Sequence, residues 1–267
     1  MKKILILNKY YHPKIGGIEK VVKQHAEALR ENGYEVDVLC CHESILKSEK
    51  LNIRSVNIFK KTTLFELFSM PVSLSFIFFF LMNYKKYDFI YIHEPFPLAT
   101  VLAFFLKKNI KTIVYYHSQL VKQKLIKRLF EYMQQSYFAS AKIVFTSSPN
   151  MHKYSPIIKN LQNVKISPIW VDTKEVNQVK KTEILEKTKD FYFFLGRNSY
   201  YKGITILMQA IEIYFKKGGK YNFVIAGDNF KMSFHDEFKT RVLLVKKSIN
   251  EKEKYSYLRS ARSFLFP

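Results

Sequence analysis

The 267-residue sequence predicts an α/β protein with two parallel β-sheets. Short apolar segments alternate with amphipathic ones along the chain, which is the pattern of parallel strands covered by helices. The alternation lapses into polar sequence between Ser167 and Asp190, where we place a linker, and then restarts. The composition, with 48% hydrophobic residues, is typical of a globular protein. We therefore predict two α/β domains, at residues 1–170 and 171–267.

The first predicted domain begins with the strand Ile4–Leu7. A helix follows, because apolar residues recur at helical spacing from Ile18 to Leu29 and Gly33 then provides a stop. The remaining predicted strands are Tyr34–Cys40, Tyr87–His93, Lys111–His117 and Lys142–Ser148, and the remaining helices are Pro97–Lys108 and Lys124–Ala141.

The second predicted domain repeats this alternation. Its predicted strands are Phe191–Gly196, Tyr221–Asp228, Arg241–Val245 and Ser263–Pro267, and its helices are Gly203–Gly219 and Glu251–Ala261. Ligands of such sheets bind at the carboxyl ends of the strands. The residues predicted at those ends are Gly16, Gly17, His93, His117, Gly196, Arg197, Gly227 and Asp228.

The two cysteines, Cys40 and Cys41, are adjacent. Neighbouring strand residues point to opposite faces, so we expect free core thiols in a reducing compartment. The apolar run near the N-terminus is too short for a signal peptide, and a cytoplasmic location is predicted. The segment Met70–Met82 is shorter than the ~20 residues that span a bilayer, which leaves a core helix or an interfacial segment. No Cys/His cluster has metal-ligand spacing, and we predict neither metal nor cofactor.

The formal net charge is +22, from 44 Lys and Arg against 22 Asp and Glu. Nucleic acid, an anionic membrane surface or phosphorylated substrates could each explain such a charge. The sequence has no RNA-binding sheet motif, zinc-finger spacing or basic arm with heptads, so we expect no nucleic-acid partner. A lysine-rich solvated surface without a partner is the alternative.

Two stretches combine lysines with bulky apolar residues and predict peripheral binding to the inner face of the cell membrane. In the first, Lys60–Lys61 and Lys85–Lys86 bracket an apolar stretch. In the second, Lys122, Lys124, Lys127 and Arg128 lie near Leu125, Leu129 and Phe130. The alternative is that Phe76–Leu81 belongs to the core and that the lysines are solvated.

Gly16 and Gly17 lie between the first strand and the first helix. Glycines at this position let backbone N–H groups approach a phosphate at the positive end of a helix. The spacing is not that of the dinucleotide-binding fingerprint, and an ordinary turn is the alternative.

His93 and His117 each end an apolar strand. A histidine at a strand end could polarise a substrate hydroxyl or change its charge near neutral pH. A purely structural histidine is the alternative for each.

Arg197 and Lys202 lie between a strand end and a helix start. The planar guanidinium fork suits a phosphate, and the lysine adds a second cation. Together they suit a diphosphate leaving group, on which negative charge develops as its bond to carbon breaks. A pair of solvated cations is the alternative.

These features together resemble the retaining GT-B glycosyltransferases of family 4. The resemblance is carried, in order, by Tyr10–Cys40, Tyr87–Pro95, Tyr115–Gln119, Pro168–Lys174, Leu195–Ile211, Val224–Asp228 and Tyr255–Pro267. It implies two Rossmann-like domains, the first on the acceptor side and the second binding a nucleotide-diphosphate sugar, with no metal required. It also implies transfer, with retention, to a lipid-linked or glycan acceptor in surface polysaccharide biosynthesis.

The resemblance assigns a role to each candidate residue. Gly16 and Gly17 match the glycine loop near the donor phosphates, and His117 matches the histidine that contacts the transferred sugar. Arg197 and Lys202 match the cation pair on the diphosphate. The acidic pair of the family, two glutamates seven residues apart, follows a segment like Ser260–Pro267, so we expect an incomplete second domain.

Two other functions stay open on the sequence alone. One is a truncated, non-catalytic relative that binds nucleotide, membrane or a partner without transfer. The other is a nucleotide-sugar epimerase of the same two-domain architecture. Continuation of the reading frame into the acidic pair would separate the transferase from the non-catalytic relative.

Overall fold

The computed structural model describes residues 1–14, 16–67, 70–119, 124–171, 173–178, 190–196, 202–227, 234, 236–246 and 249–267. The chain forms two compact units, Met1–Trp170 and Val171–Pro267. Each unit has its own sheet and its own apolar clusters.

The first unit contains an eight-stranded sheet in the order β10-β9-β8-β7-β1-β2-β4-β3. Its strands, with the separate hairpin β5–β6, are β1 Lys3–Leu7, β2 Glu35–Ile45, β3 Glu49–Ile53, β4 Val56–Thr63, β5 Phe65–Leu67, β6 Met70–Val72, β7 Phe89–Glu94, β8 Thr112–Tyr116, β9 Ile143–Thr146 and β10 Val164–Ile166. Its helices are α1 Gly17–Glu31, α2 Leu74–Asn83, α3 Pro97–Leu106, α4 Lys124–Ser140 and α5 Pro149–Tyr154. The predicted strands and helices of this unit are confirmed.

The sheet edge differs from the prediction, because β2 runs on to Ile45 and β3 pairs antiparallel with β4. The turn between β3 and β4 is made by Arg54 and Ser55, whose φ angles are 50° and 61°. Turns with two positive φ angles are normally signalled by Asn-Gly or Asp-Gly. The Arg-Ser pair gives no such signal, which is why the sequence did not predict this hairpin.

Alternating side chains of the sheet enter two separate apolar clusters. Leu5 and Leu7 pack on the face covered by α2, α3 and α4, whereas Ile4 and Ile6 pack on the face that carries α1. The two cysteines are free and buried, with Cys40 on the α1 face and Cys41 on the opposite one. This confirms the expectation that the adjacent thiols point apart.

Helix α2 occupies the apolar segment that could have been a core helix or an interfacial one. It begins after Ser73, whose hydroxyl accepts a hydrogen bond from the Phe76 amide at 3.1 Å. Phe76 and Phe80 are buried, while the opposite side of the helix is exposed. Among the described helices, none is long and apolar enough to cross a membrane.

The second unit contains a parallel sheet in the order β13-β12-β11-β14. Its strands are β11 Phe191–Leu195, β12 Asn222–Ala226, β13 Val242–Val245 and β14 Ser263–Phe264, and its helices are α6 Thr173–Gln178, α7 Ile204–Lys216, α8 Asp236–Lys239 and α9 Glu251–Ser260. The predicted linker therefore contains a helix, α6. The last predicted strand is shorter than expected, since it ends at Phe264, although the Leu265 amide still donates to the Phe193 carbonyl at 2.7 Å.

Glu94, the last residue of β7, ties two helices to the sheet from a fully buried position. Its Oε2 accepts hydrogen bonds from the Phe96 amide at 2.6 Å and from the Gln134 side chain at 3.1 Å. Its Oε1 accepts from the hydroxyls of Thr100, at 2.7 Å, and Tyr137. Burial raises the pKa of Glu94, although these four donors act in the opposite direction. The carboxyl group is thus the shared acceptor between β7, α3 and α4.

We expect Glu94→Leu to lower the free energy of unfolding of the first unit by about 3 kcal/mol or more, because each buried donor left without an acceptor costs about 1–3 kcal/mol. Urea unfolding followed by the fluorescence of Trp170, the single tryptophan, measures this loss. Glu94→Gln is the matched control, since it keeps the volume and one acceptor oxygen and should lose less. Wild-type stability of Glu94→Leu would show that the carboxyl group is not needed.

Candidate active site

The parallel pairing of β7 with β8 brings the two predicted strand-end histidines together. In the register of this pair, His93 is opposite Tyr115 and Glu94 is opposite Tyr116. The His117 amide continues the ladder by donating to the Glu94 carbonyl at 2.9 Å. The rings of His93 and His117 then lie on one face, with 3.0 Å between His93 Nδ1 and His117 Nε2.

A third histidine, His25 of α1, extends this pair into what we call the histidine cluster: His25, His93 and His117 with the tyrosine rings of Tyr91 and Tyr115. Ring centroids of His25 and His93 are 5.3 Å apart, and those of Tyr115 and His117 are 4.5 Å apart. His25 Nδ1 and the Tyr91 hydroxyl form a hydrogen bond at 2.9 Å. The cluster therefore runs from the buried face of α1 to the carboxyl end of β8.

Burial keeps the histidine cluster uncharged. It lowers the pKa of His25 to about 4 and that of His117 to about 3, with His25 acting in the same direction on His117. It also lowers the pKa of His93 well below its usual range, and the two neighbouring histidines lower it further. At neutral pH the cluster thus offers neutral imidazoles, which donate or accept hydrogen bonds but supply no positive charge.

His25 is the member of the cluster that our sequence analysis missed. Its signal lay in the helical periodicity, since it follows Val21 by four residues on the buried stripe of α1. Its ring stacks on Trp170, with centroids 5.0 Å apart and planes inclined by 19°. Both residues line an apolar cavity of about 450 Å³ on this face of the sheet.

The predicted glycine loop lies at the start of α1. Gly16 is the residue before the first helical turn and has an extended backbone, and Gly17 begins the helix. A methyl group at Gly17 would meet no atom within 4 Å, whereas one at Gly16 would collide with the Glu19 carboxylate. The negative charge of Glu19, in the first turn, interacts favourably with the positive end of the helix. The Glu19 side chain covers Gly16 but leaves Gly17 uncovered.

The predicted cation site of the second unit is described in part. Gly196 follows β11, and its amide donates to the Ala226 carbonyl at 3.1 Å. The stem of Lys202 passes close by, since a methyl group at Gly196 would lie 3.9 Å from Lys202 Cδ. Gly203, the residue before α7, has φ of 65°, a conformation that favours glycine. Arg197 lies outside the described residues.

Within the described residues, no group of three or more His, Cys, Asp or Glu side chains is placed to hold a metal ion. The polar groups at the strand ends are instead backbone amides, neutral imidazoles and a lysine. Such groups suit an uncharged polar ligand in the first unit and an anion in the second.

The fold and the strand-end groups define a two-unit α/β protein with Rossmann-like sheets. The sequence profile of Glycosyltransferase Family 4 matches residues 15–172, and the chain belongs to this family. It is therefore a glycosyltransferase chain.

Two curated bacterial relatives support the assignment. O-antigen chain mannosyltransferase C of Escherichia coli is 27% identical over 274 aligned residues, which cover all of this chain and 72% of the relative. D-rhamnosyltransferase WbpZ of Pseudomonas aeruginosa is 25% identical, over 82% of this chain and 57% of the relative.

Solved structures confirm the fold. Sucrose-phosphate synthase from Thermosynechococcus elongatus superimposes with a TM-score of 0.75 at 15% identity, over all of this chain and 75% of that one. The predicted GT-B class, with parallel sheets in an α/β chain, is thus confirmed.

Proposed function

We propose that the chain is a retaining glycosyltransferase that moves a sugar from a nucleotide-diphosphate sugar to a lipid-linked or glycan acceptor during surface polysaccharide biosynthesis. The observation that carries this proposal is the alignment of the whole chain with an O-antigen mannosyltransferase. Mannose and D-rhamnose, the sugars named for the two relatives, are the first donor sugars to test.

The second unit is the proposed donor-diphosphate site. Lys202 lies beside the Gly196 strand end, where its charge would face developing negative charge on a diphosphate. Its Nζ also lies 5.5 Å from the centre of the Phe266 ring. Arg197 is proposed as its partner on the same diphosphate. Gly16 and Gly17, at the positive end of α1, are also proposed as donor-binding residues.

His117 is the proposed catalytic residue, in contact with the transferred sugar. Its ring is neutral and lies at the carboxyl end of β8, where ligands of parallel sheets bind. A neutral imidazole can hydrogen-bond to a sugar hydroxyl without competing for the diphosphate.

Substitutions of the proposed diphosphate residues and of the proposed sugar residue should therefore have different effects. Arg197→Ala and Lys202→Ala should each weaken nucleoside-diphosphate binding by about 1.5–3 kcal/mol, the range for hydrogen bonds to charged groups. His117→Ala should leave that affinity unchanged and reduce transfer or hydrolysis of the nucleotide sugar. Calorimetry with the nucleoside diphosphates and a turnover assay with the matching sugars measure both effects.

Lys216→Ala, an exposed lysine at the end of α7, is the matched control and should change neither quantity. Unchanged affinity in both cation variants would contradict the donor assignment. Donor binding without transfer or hydrolysis in the unsubstituted protein would favour the alternative, a non-catalytic relative.

The exposed side of α2 is the proposed membrane-facing surface, and its occupant is an anionic lipid bilayer. We define the α2 apolar face as Leu74, Phe78, Leu81 and Met82, whose exposed fractions are 64%, 67%, 47% and 65%. Two exposed lysines, Lys85 and Lys86, lie in the short turn Tyr84–Lys86 that follows the helix. Apolar side chains next to cations are the combination that binds an anionic leaflet peripherally.

The other predicted membrane stretch is described in part. Lys122 lies outside the described residues, and Lys127 is 3.6 Å from Glu131 in an ion pair along α4. Leu129 is 59% exposed on the same helix. We therefore base the membrane test on α2, where the lysines follow an exposed apolar stripe.

We expect the protein to float with anionic vesicles at low salt and to be released at high salt, because exposed charges are screened. The double variant Lys85→Glu and Lys86→Glu should lose most of this binding, since each lysine near the surface contributes about 1 kcal/mol. Phe78→Asp should also lose vesicle binding, because it removes an apolar contact with the bilayer.

The matched control is Lys216→Glu with Lys217→Glu, which makes the same charge change in a second exposed lysine pair at a helix end. It should leave flotation intact. Equal loss of flotation in both double variants would show that binding depends only on net charge. If the wild type does not bind anionic vesicles at all, the proposed membrane-facing surface is wrong.

A further inference from the structure

The hydrogen bond between His93 and His117 allows two arrangements of protons. With 3.0 Å between His93 Nδ1 and His117 Nε2, one of these two nitrogens donates and the other accepts. Neutral histidine carries one ring proton, so the direction of this bond determines where each ring keeps its proton.

The surroundings of His93 decide the direction. His93 Nε2 is buried, and among the described residues it has no hydrogen-bond partner. If His117 donated, His93 would carry its proton on Nε2 and an N–H group would be buried without an acceptor. If His93 donates from Nδ1, only a lone pair is left unpaired. Unpaired buried N–H groups are the rarer and costlier case, so His93 is the donor.

The proton of neutral His117 then lies on Nδ1, the nitrogen that does not face His93. No described group forms a hydrogen bond with this Nδ1. The surrounding rings, His25, Tyr91 and Tyr115, pack around the pair, and the Glu94 carboxyl group is engaged on the opposite face by donors from α3 and α4.

We propose that His93 is a positioning residue that holds His117 as the Nδ1–H tautomer and so makes it a hydrogen-bond donor to a hydroxyl oxygen of the transferred sugar. This inference rests on the proposed function, in which His117 contacts that sugar. It also defines specificity, because a donor N–H selects a sugar that presents an acceptor oxygen at this position over a deoxy analogue that lacks it.

The tautomer is read directly from two-bond proton–nitrogen correlations in protein labelled with nitrogen-15 histidine. His117→Gln assigns the resonances. In the wild type, we expect the His117 proton on Nδ1. His93→Asn places a side-chain amide donor near the original Nδ1 and should preserve this tautomer. His93→Phe keeps a ring but removes the donor, and His117 should move to the Nε2–H tautomer that is usual for free histidine.

His25→Asn is the matched control within the cluster, because His25 packs near His93 but forms its hydrogen bond with Tyr91. It should leave the His117 tautomer unchanged. Wild-type His117 protonated on Nε2 would overturn the proposal without any variant. An unchanged tautomer in folded His93→Phe would overturn it as well.

Calorimetry separates this inference from the proposed function. His93→Phe should bind the nucleotide sugar about three- to tenfold more weakly than the wild type, the effect of one neutral hydrogen bond, and should bind the nucleoside diphosphate equally well. His93→Asn should bind the nucleotide sugar as tightly as the wild type does. If the tautomers are as expected but no nucleotide sugar binds, the proposed function fails; if sugars bind and the tautomer does not depend on His93, only the His93 role fails.

Discussion

The pairing of β7 with β8 is the constraint on which the site depends. Adjacent residues at the end of β7 face opposite sides of the sheet, so His93 enters the histidine cluster while Glu94 collects donors from α3 and α4. The Glu94 carbonyl also holds the His117 amide. One strand end therefore fixes the backbone of His117, the orientation of its ring and the packing of two helices. A register slip of one residue in β7 would turn its side chains to the opposite faces of the sheet and so disrupt all three.

The two units differ in the electrostatics of their strand ends. In the first unit, burial removes charge from the imidazoles and leaves neutral hydrogen-bonding groups at the end of β8. In the second unit, Lys202 beside Gly196 supplies a cation. The proposed reaction breaks a bond between a neutral sugar and a charged diphosphate. Neutral imidazoles suit the sugar, and a cation suits the diphosphate. The exposed α2 apolar face is a separate feature of the first unit and is proposed to bring it to an acceptor at a lipid surface.

Much of this fold follows from local sequence. Apolar runs placed His93 and His117 at strand ends, and the repeated Tyr-x-His pattern at Tyr91 and Tyr115 puts tyrosine and histidine on one face. The β3–β4 hairpin was not predictable, because its turn lacks the residues that normally mark positive φ angles. The direction of the His93–His117 bond was not predictable either. It depends on which nitrogen lies within 3.0 Å and which is buried without a partner, and these are properties of tertiary packing.

The central claim is that His117 touches the transferred sugar and not the nucleotide. The most direct measurement follows the ring resonances of His117 in histidine-labelled protein during titration with a nucleoside diphosphate and then with the matching nucleotide sugar. The account predicts a small response to the nucleoside diphosphate and a large shift of the Nδ1–H signal when the sugar is present. Equal responses to both ligands, or a response to neither while calorimetry reports binding, would contradict it.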